Sequence, residues 1–186
     1  MEKRETYPIT IAGIYRELPL FEVKPGLRIA ILNILGDTEL VDACARELSE
    51  LLAETDYDVI LTPEAKSIPL AHMLSLETNK PYVVLRKDYK PYMGKALSTE
   101  TMSITTGKAQ TLFLDEKDLG AIKGKKVVLL DDVISTGSTL QGMHLIIDKA
   151  EAITAREVGI LTEGDRAEWR DILSLGHLPL FFDKAE

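Results

Sequence analysis

The sequence predicts an α/β fold: a mostly parallel, twisted sheet with helices on both faces. Two observations predict it. From Asp58 onward, short runs rich in Val, Ile and Leu alternate with stretches whose apolar residues recur every three or four positions, the pattern of strand–helix units feeding a parallel sheet. The run Val127-Val-Leu-Leu130 is apolar at every position, as a strand covered on both faces must be. The 186 residues, 45% hydrophobic and 28% charged, suffice for one domain with a sizeable core. In such sheets ligands bind beyond the carboxyl ends of the strands, which is where chemistry is to be sought.

Taken in order, Thr6 to Val23 holds short apolar runs broken by Pro8, Gly13 and Pro19, which suggests irregular strands or a small flap. Pro25-Gly26 marks a turn, and Leu27 to Leu35 reads as a strand. Asp37 is a plausible N-cap for a helix to about Glu54, whose stripe is Leu40, Val41, Cys44, Leu48, Leu51 and Leu52. Asp58–Thr62 reads as a short buried strand, followed by Pro63-Glu-Ala-Lys66 and a helix through about Glu77, with Pro81–Leu85 as the next strand. Arg86 to Gly107 is polar and lacks a periodic apolar stripe. Strands at Gln110–Leu114 and Lys126–Leu130, a helix at Thr139–Ala150 and a strand at Glu157–Leu161 follow. Arg166–Leu175 is expected to be helical and Leu178–Phe182 to be the last strand.

Composition excludes several function classes. With 22 Lys and Arg against 30 Asp and Glu, the net charge of -8 disfavours nucleic-acid binding, which needs a basic footprint. A single cysteine, Cys44, rules out an intrachain disulfide framework and multi-thiolate zinc sites, and the three histidines show no metal-ligand spacing. No secretory signal is recognised, and Leu27–Leu35 is too short to span a bilayer. The expectation is a soluble cytoplasmic protein without membrane partners. His72 and His144 fall in amphipathic helices and Cys44 on an apolar face, so all three read as structural. Trp169 reads as packing rather than base stacking.

The most informative stretch is Val127 to Leu140. A buried strand delivers two adjacent acids, Asp131 and Asp132, and a small-residue loop then opens a helix. The backbone N–H groups of Ser135, Thr136, Gly137, Ser138 and Thr139 form a nest for a phosphate dianion, which Gly137 allows to approach closely. Carboxylates beside a phosphate nest make sense as acceptors for sugar hydroxyls with a magnesium ion nearby. There is no GxxxxGK[ST] motif and no lysine in the turn, so this is not a Walker A loop.

The segment resembles the phosphoribosyl-pyrophosphate signature of the type I phosphoribosyltransferases: apolar strand, paired acids, two residues, then a Ser/Thr-Thr-Gly-Ser/Gly-Thr loop. The resemblance covers about Asp58 to Asp165 and is closest to the adenine and xanthine branch. Thr62-Pro-Glu64-Ala65-Lys66 is similar to that branch's Thr-Glu-Ala-Arg turn, with lysine in place of arginine. Arg86-Lys87 and Lys90 match its basic positions. Residues 88–107 correspond to its mobile catalytic loop, in which Ser98-Thr-Glu100-Thr101 resembles an acid-bearing motif, although Met102 replaces a tyrosine and the loop is slightly longer. Glu100 reads equally well as a solvated loop acid.

The resemblance implies the type I phosphoribosyltransferase fold, with a hood over about residues 1–35, a core over 36–165 and a lid over 88–107. It implies transfer of ribose 5-phosphate from phosphoribosyl pyrophosphate to a purine base, magnesium as cofactor, and a homodimer. Ser135–Thr139 would hold the 5-phosphate, Asp131 and Asp132 the ribose hydroxyls and, through water or substrate, the metal. Glu64, Ala65, Lys66, Arg86, Lys87 and Lys90 would serve the pyrophosphate, Glu100 the proton on the base, and Leu161, Thr162 and Glu163 the purine pocket. Adenine is favoured, with xanthine or guanine as alternatives. Leu85-Arg-Lys-Asp88, Gln110-Thr-Leu and Leu140-Gln-Gly-Met143 also resemble the effector domain of the Gram-positive purine repressor, so a non-catalytic sensor is a further alternative. About 30 residues before the first core helix are too few for that repressor's DNA-binding module plus a flap.

Overall fold

The computed structural model describes residues 5–102 and 109–183. The N-terminal segment forms β1 (Thr6–Ile11), β2 (Ile14–Lys24) and β3 (Leu27–Ala30), all antiparallel. The left-handed pair Ala12-Gly13 turns the first hairpin. The long strand expected over Leu27–Leu35 ends at Ala30; residues 31–34 run on as irregular chain into α1 (Thr38–Leu51). Asp37 caps that helix by accepting the Leu40 N–H at 3.2 Å, a contact worth ~1 kcal/mol. Arg16 of β2 forks onto both Asp37 oxygens at 2.8 Å and reaches Glu39, which pins the antiparallel sheet to the first core helix.

The core continues through β4 (Val59–Pro63), α2 (Ile68–Thr78), β5 (Tyr82–Leu85), β6 (Leu97–Met102), β7 (Ala109–Leu114), α3 (Glu116–Ile122), β8 (Lys126–Ile134), α4 (Ser138–Lys149), β9 (Ile153–Glu163), β10 (Leu173–Leu178) and β11 (Phe181–Phe182). Five strands form a parallel sheet in the order β10-β9-β8-β4-β5, while β11 extends the N-terminal sheet beside β3. Alternation along β8 explains its unbroken apolar run. Val128 and Leu130 join the core beneath α1 and α2, and Val127 and Leu129 join the one beneath α4.

Three further sequence expectations are corrected. The polar stretch after β5 is not without structure: Leu97–Met102 pairs antiparallel with β7 and packs on α4. Its buried side is made by Thr99 and Thr101, whose hydroxyls donate to the Gly142 carbonyl (3.1 Å) and the Ser138 carbonyl (3.2 Å), so the alternation lacks an apolar signal. Residues 103–107 of the expected lid lie outside the described residues. Arg166–Leu175 is not a helix. One 3-10 turn, Arg166–Trp169, is capped by Asp165, and the chain then enters β10 alongside β9. The expected last strand, Leu178–Phe182, is correspondingly split between β10 and β11. No helix among the described residues is long and apolar enough to cross a membrane.

Candidate active site

Strands β4, β5, β8 and β9 end on the same edge of the parallel sheet, and their ends deliver the polar residues. Asp131 and Asp132 lie near the end of β8. Ser67, at the start of α2, bridges them: its hydroxyl donates to Asp131 Oδ1 at 2.8 Å and accepts the Asp132 N–H at 3.0 Å. Burial and the adjacent Asp132 carboxylate push the Asp131 carboxyl well above the usual carboxylate range. Two adjacent acids in such a setting call for a cation or for hydroxyl donors. Lys66 supplies one cation, its Nζ lying 3.1 Å from Asp132 Oδ2 and 3.3 Å from the Leu32 carbonyl.

The turn after β4 and the end of β5 are joined by Glu64. Its carboxylate accepts from Arg86 Nε at 2.6 Å and from the Lys87 N–H at 2.7 Å, using both oxygens. The Glu64–Ala65 peptide is cis. Glu64, Ala65, Lys66, Ser67 and Lys87 line a cleft of about 190 Å³ together with both acids. Arg86, paired with Glu64, is not among the lining residues. Lys90 precedes the 3-10 turn Pro91–Met93 and is not among the lining residues.

The Ser135–Thr139 loop wraps a small hollow of about 30 Å³ at the start of α4, where the first N–H groups of the helix have no partner within it. Gly137 adopts φ +72°, and the Thr136 and Ser138 hydroxyls lie 3.1 Å apart. Trp169 covers this loop: a Cβ added to Gly137 would lie 3.2 Å from Trp169 Cη2. Its indole N–H donates to the Glu163 carbonyl at 2.8 Å, tying the loop to the end of β9. The indole thus packs, as expected, though against the loop rather than in a helix interface.

A third cleft, of about 230 Å³, opens between Ser135 and Thr136 on one side and Val23, Leu27, Ile29 and Leu180 on the other. Of the three residues expected there, Glu163 lines it. Leu161 is fully buried in the core, and the Thr162 hydroxyl faces His177 Nδ1 at 2.9 Å. His177 Nε2 lies 3.1 Å from the Gly164 carbonyl, and burial, then Arg166, push its pKa down, so a neutral ring donates to Gly164 and accepts from Thr162. Glu100 points from the exposed face of β6, opposite Thr99 and Thr101, and lines none of the three clefts.

Ser67 and Trp169 are the residues that sequence reasoning missed. Ser67 follows directly on the recognised Lys66, and its hydroxyl beside a basic turn was the available signal. Nothing in the sequence linked Trp169 to a loop some thirty positions upstream. His144, on α4, pairs with Glu157, which raises its pKa, in keeping with a structural role.

Among the described residues no three acids, histidines or cysteines cluster as a closed metal cage. Asp131 and Asp132 still fit magnesium, which takes one or two carboxylates from a protein and completes its shell with phosphate oxygens and water.

Comparison with known proteins places this geometry. The profile of the phosphoribosyl transferase domain family matches residues 31–168. The purine biosynthesis transcriptional repressor PurR of Bacillus subtilis is 29% identical over 148 residues, 80% of this chain but 51% of its own, so the chain spans about half that relative's length. The hypoxanthine/guanine phosphoribosyltransferase of Ferroglobus placidus is 37% identical over 170 residues, covering 90% of this chain and 82% of its own. The adenine phosphoribosyltransferase crystal structure from Thermoanaerobacter pseudethanolicus superposes with a TM-score of 0.65 at 22% identity, over 93% of this chain and 95% of that one, a likeness of fold. A fold, a loop and a profile that agree over three quarters of the chain leave one assignment: the chain belongs to the phosphoribosyl transferase domain family, in its type I purine branch.

Proposed function

We propose that the chain transfers the 5-phosphoribosyl group of phosphoribosyl pyrophosphate to a nitrogen of a purine base, releasing pyrophosphate. The observation that carries this reading is the meeting of three different chemistries at one sheet edge: an anion nest, a carboxylate pair and a cation-lined cleft. The 5-phosphate would sit in the Ser135–Thr139 nest, held by N–H groups at a helix N-terminus. Asp131 and Asp132 would accept hydrogen bonds from the ribose hydroxyls, with Ser67 keeping the pair oriented.

The sugar carbon becomes cationic as the leaving group departs, so positioning and charge balance should carry most of the rate. Lys66 and Lys87 would take up charge on pyrophosphate. Arg86, held in place by Glu64, adds positive charge beside them, and Lys90 joins on rearrangement of its turn. Glu64 cannot donate to an anion; its part is to hold the two basic positions at the end of β5. Bound magnesium would neutralise pyrophosphate oxygens from the Asp131–Asp132 side. Glu100 reaches the base only if the β6–β7 ribbon moves, which would give the segment a lid's role.

Base choice has two supports that disagree. The Glu64–Lys66 turn and the Ser98–Thr101 stretch favour adenine by resemblance, whereas the acid lining the base cleft favours a 6-oxopurine. Kinship to a repressor supports a second reading, a sensor that binds phosphoribosyl pyrophosphate without turnover. Incubation with phosphoribosyl pyrophosphate, magnesium and each of adenine, guanine, hypoxanthine and xanthine tests all of this. Pyrophosphate and a nucleotide from at least one base are expected. Tight substrate binding with no product from any base would overturn the transferase reading in favour of the sensor.

A further inference from the structure

The cleft between the N-terminal sheet and the phosphate loop is walled by Val23, Leu27, Ile29 and Leu180 and contains one buried acid. Glu163, the last residue of β9, is 7% exposed. Its carbonyl accepts the Trp169 indole N–H, and its carboxylate has no hydrogen-bond or ion-pair partner among the described residues. Its oxygens reach only the cleft, which is walled largely by apolar side chains beside the phosphate loop, so the donors of a bound molecule are the partners it lacks. Burial also pushes its pKa up, as an acid lacking a partner requires.

We propose that Glu163 is the specificity-determining residue of the base cleft and selects a 2-amino-6-oxopurine, guanine. The inference rests on the transferase reading to the extent that the cleft takes the base. The argument is one of edges. In its ionised form, which a pair of facing donors favours, the carboxylate only accepts, through two oxygens. Guanine offers two parallel donors, N1–H and the 2-amino N–H, which match it as a bidentate, charge-assisted pair. Hypoxanthine offers only N1–H beside a C–H. Xanthine sets N1–H between two carbonyl oxygens, which repel the acid. Adenine turns a lone pair at N1 toward it. Lys24, on the exposed rim of the same cleft, carries a donor suited to the 6-oxo oxygen.

Calorimetric titration of the full chain with GMP, IMP, AMP and XMP tests this without turnover. GMP is expected to bind about tenfold or more tighter than IMP, and AMP and XMP more weakly still. Glu163→Gln keeps shape but replaces one acceptor by a donor. It should weaken GMP by about 10- to 100-fold while leaving IMP within about threefold, since an amide still matches N1–H and O6. A far-ultraviolet melt establishes that the variant is folded. In turnover, kcat/KM should be highest for guanine and fall with the same ratio in the variant. AMP or XMP as the tightest ligand of the wild type, or an unchanged GMP:IMP ratio in Glu163→Gln, would overturn the inference. Transfer to adenine or xanthine in preference to guanine overturns it and leaves the transferase reading standing; GMP selectivity without transfer to any base does the reverse.

Discussion

The contact between Trp169 and the phosphate loop can be tested by a double-mutant cycle. Gly137 sits at φ +72°, where a side chain costs ~1–2 kcal/mol whatever surrounds it. An alanine Cβ would also lie 3.2 Å from Trp169 Cη2, tighter than ordinary contact, and 3.6 Å from Cζ3, an ordinary one, so the indole or the loop must give by a few tenths of an ångström. Crowding of that kind adds ~1–3 kcal/mol in packed surroundings, so Gly137→Ala should cost about 2–5 kcal/mol in total. Trp169→Phe removes the benzo ring that the methyl meets, together with the N–H donated to the Glu163 carbonyl, and should cost ~1–2 kcal/mol alone. In the double variant the crowding vanishes while the φ penalty remains, which leaves a favourable coupling of about 1–3 kcal/mol. Urea denaturation of the four proteins measures stability, and titration with phosphoribosyl pyrophosphate follows the nest, whose affinity should fall about tenfold in Gly137→Ala and partly recover in the double variant. Additivity within about 0.5 kcal/mol would refute the contact as the source of the effect.

Further predictions follow from the same geometry. Ser67→Ala removes a donor to Asp131 and an acceptor for the Asp132 N–H, so kcat/KM should fall about tenfold with the fold retained, as steady-state kinetics and a thermal melt would record. Glu64→Gln loosens Arg86 and the Lys87 N–H, so pyrophosphate inhibition should weaken about tenfold while binding of ribose 5-phosphate is unchanged. Arg16, then the Leu40 N–H, hold the Asp37 carboxyl below its ordinary value despite partial burial. A depressed folded pKa gives stability that is present above the unfolded value, about 3.9, and lost as pH falls through the folded one. Asp37→Asn, which can still cap, should therefore be less stable than wild type near neutrality, with the gap closing only as pH falls from about 4 through the depressed folded value, as acid titrations of unfolding would display. Burial pushes the Cys44 thiol up to about 12, so iodoacetamide should label it only after unfolding.

Local signals were legible where the chain itself is continuous. Asp37, Pro25-Gly26 and the apolar run into Asp131 each place an element by its own residues, and the phosphate loop needs only contiguous Ser135–Thr139 to curl at a helix N-terminus. Elements whose burial is paid in hydroxyls escaped that logic. Thr99 and Thr101 bury themselves by bonding to α4 carbonyls, so β6 carries no hydrophobic period, and Ile172-Leu173 looked helical because two adjacent apolar residues suit either a helix face or a strand entering a sheet.

The amino-acid order by itself thus determined the parallel α/β layering, the paired acids and the anion nest, because each depends on periodicity and neighbours along the chain. The tertiary structure alone decided which distant groups meet. The parallel register of β4 with β8 carries Ser67 to acids 64 and 65 positions away, and that of β4 with β5 lets Glu64 grip Arg86 and Lys87. The return of the chain through the 3-10 turn sets Trp169 over Gly137 and turns Glu163 into an apolar cleft. Such contacts are set by sheet order and burial, which no spacing within a single segment encodes.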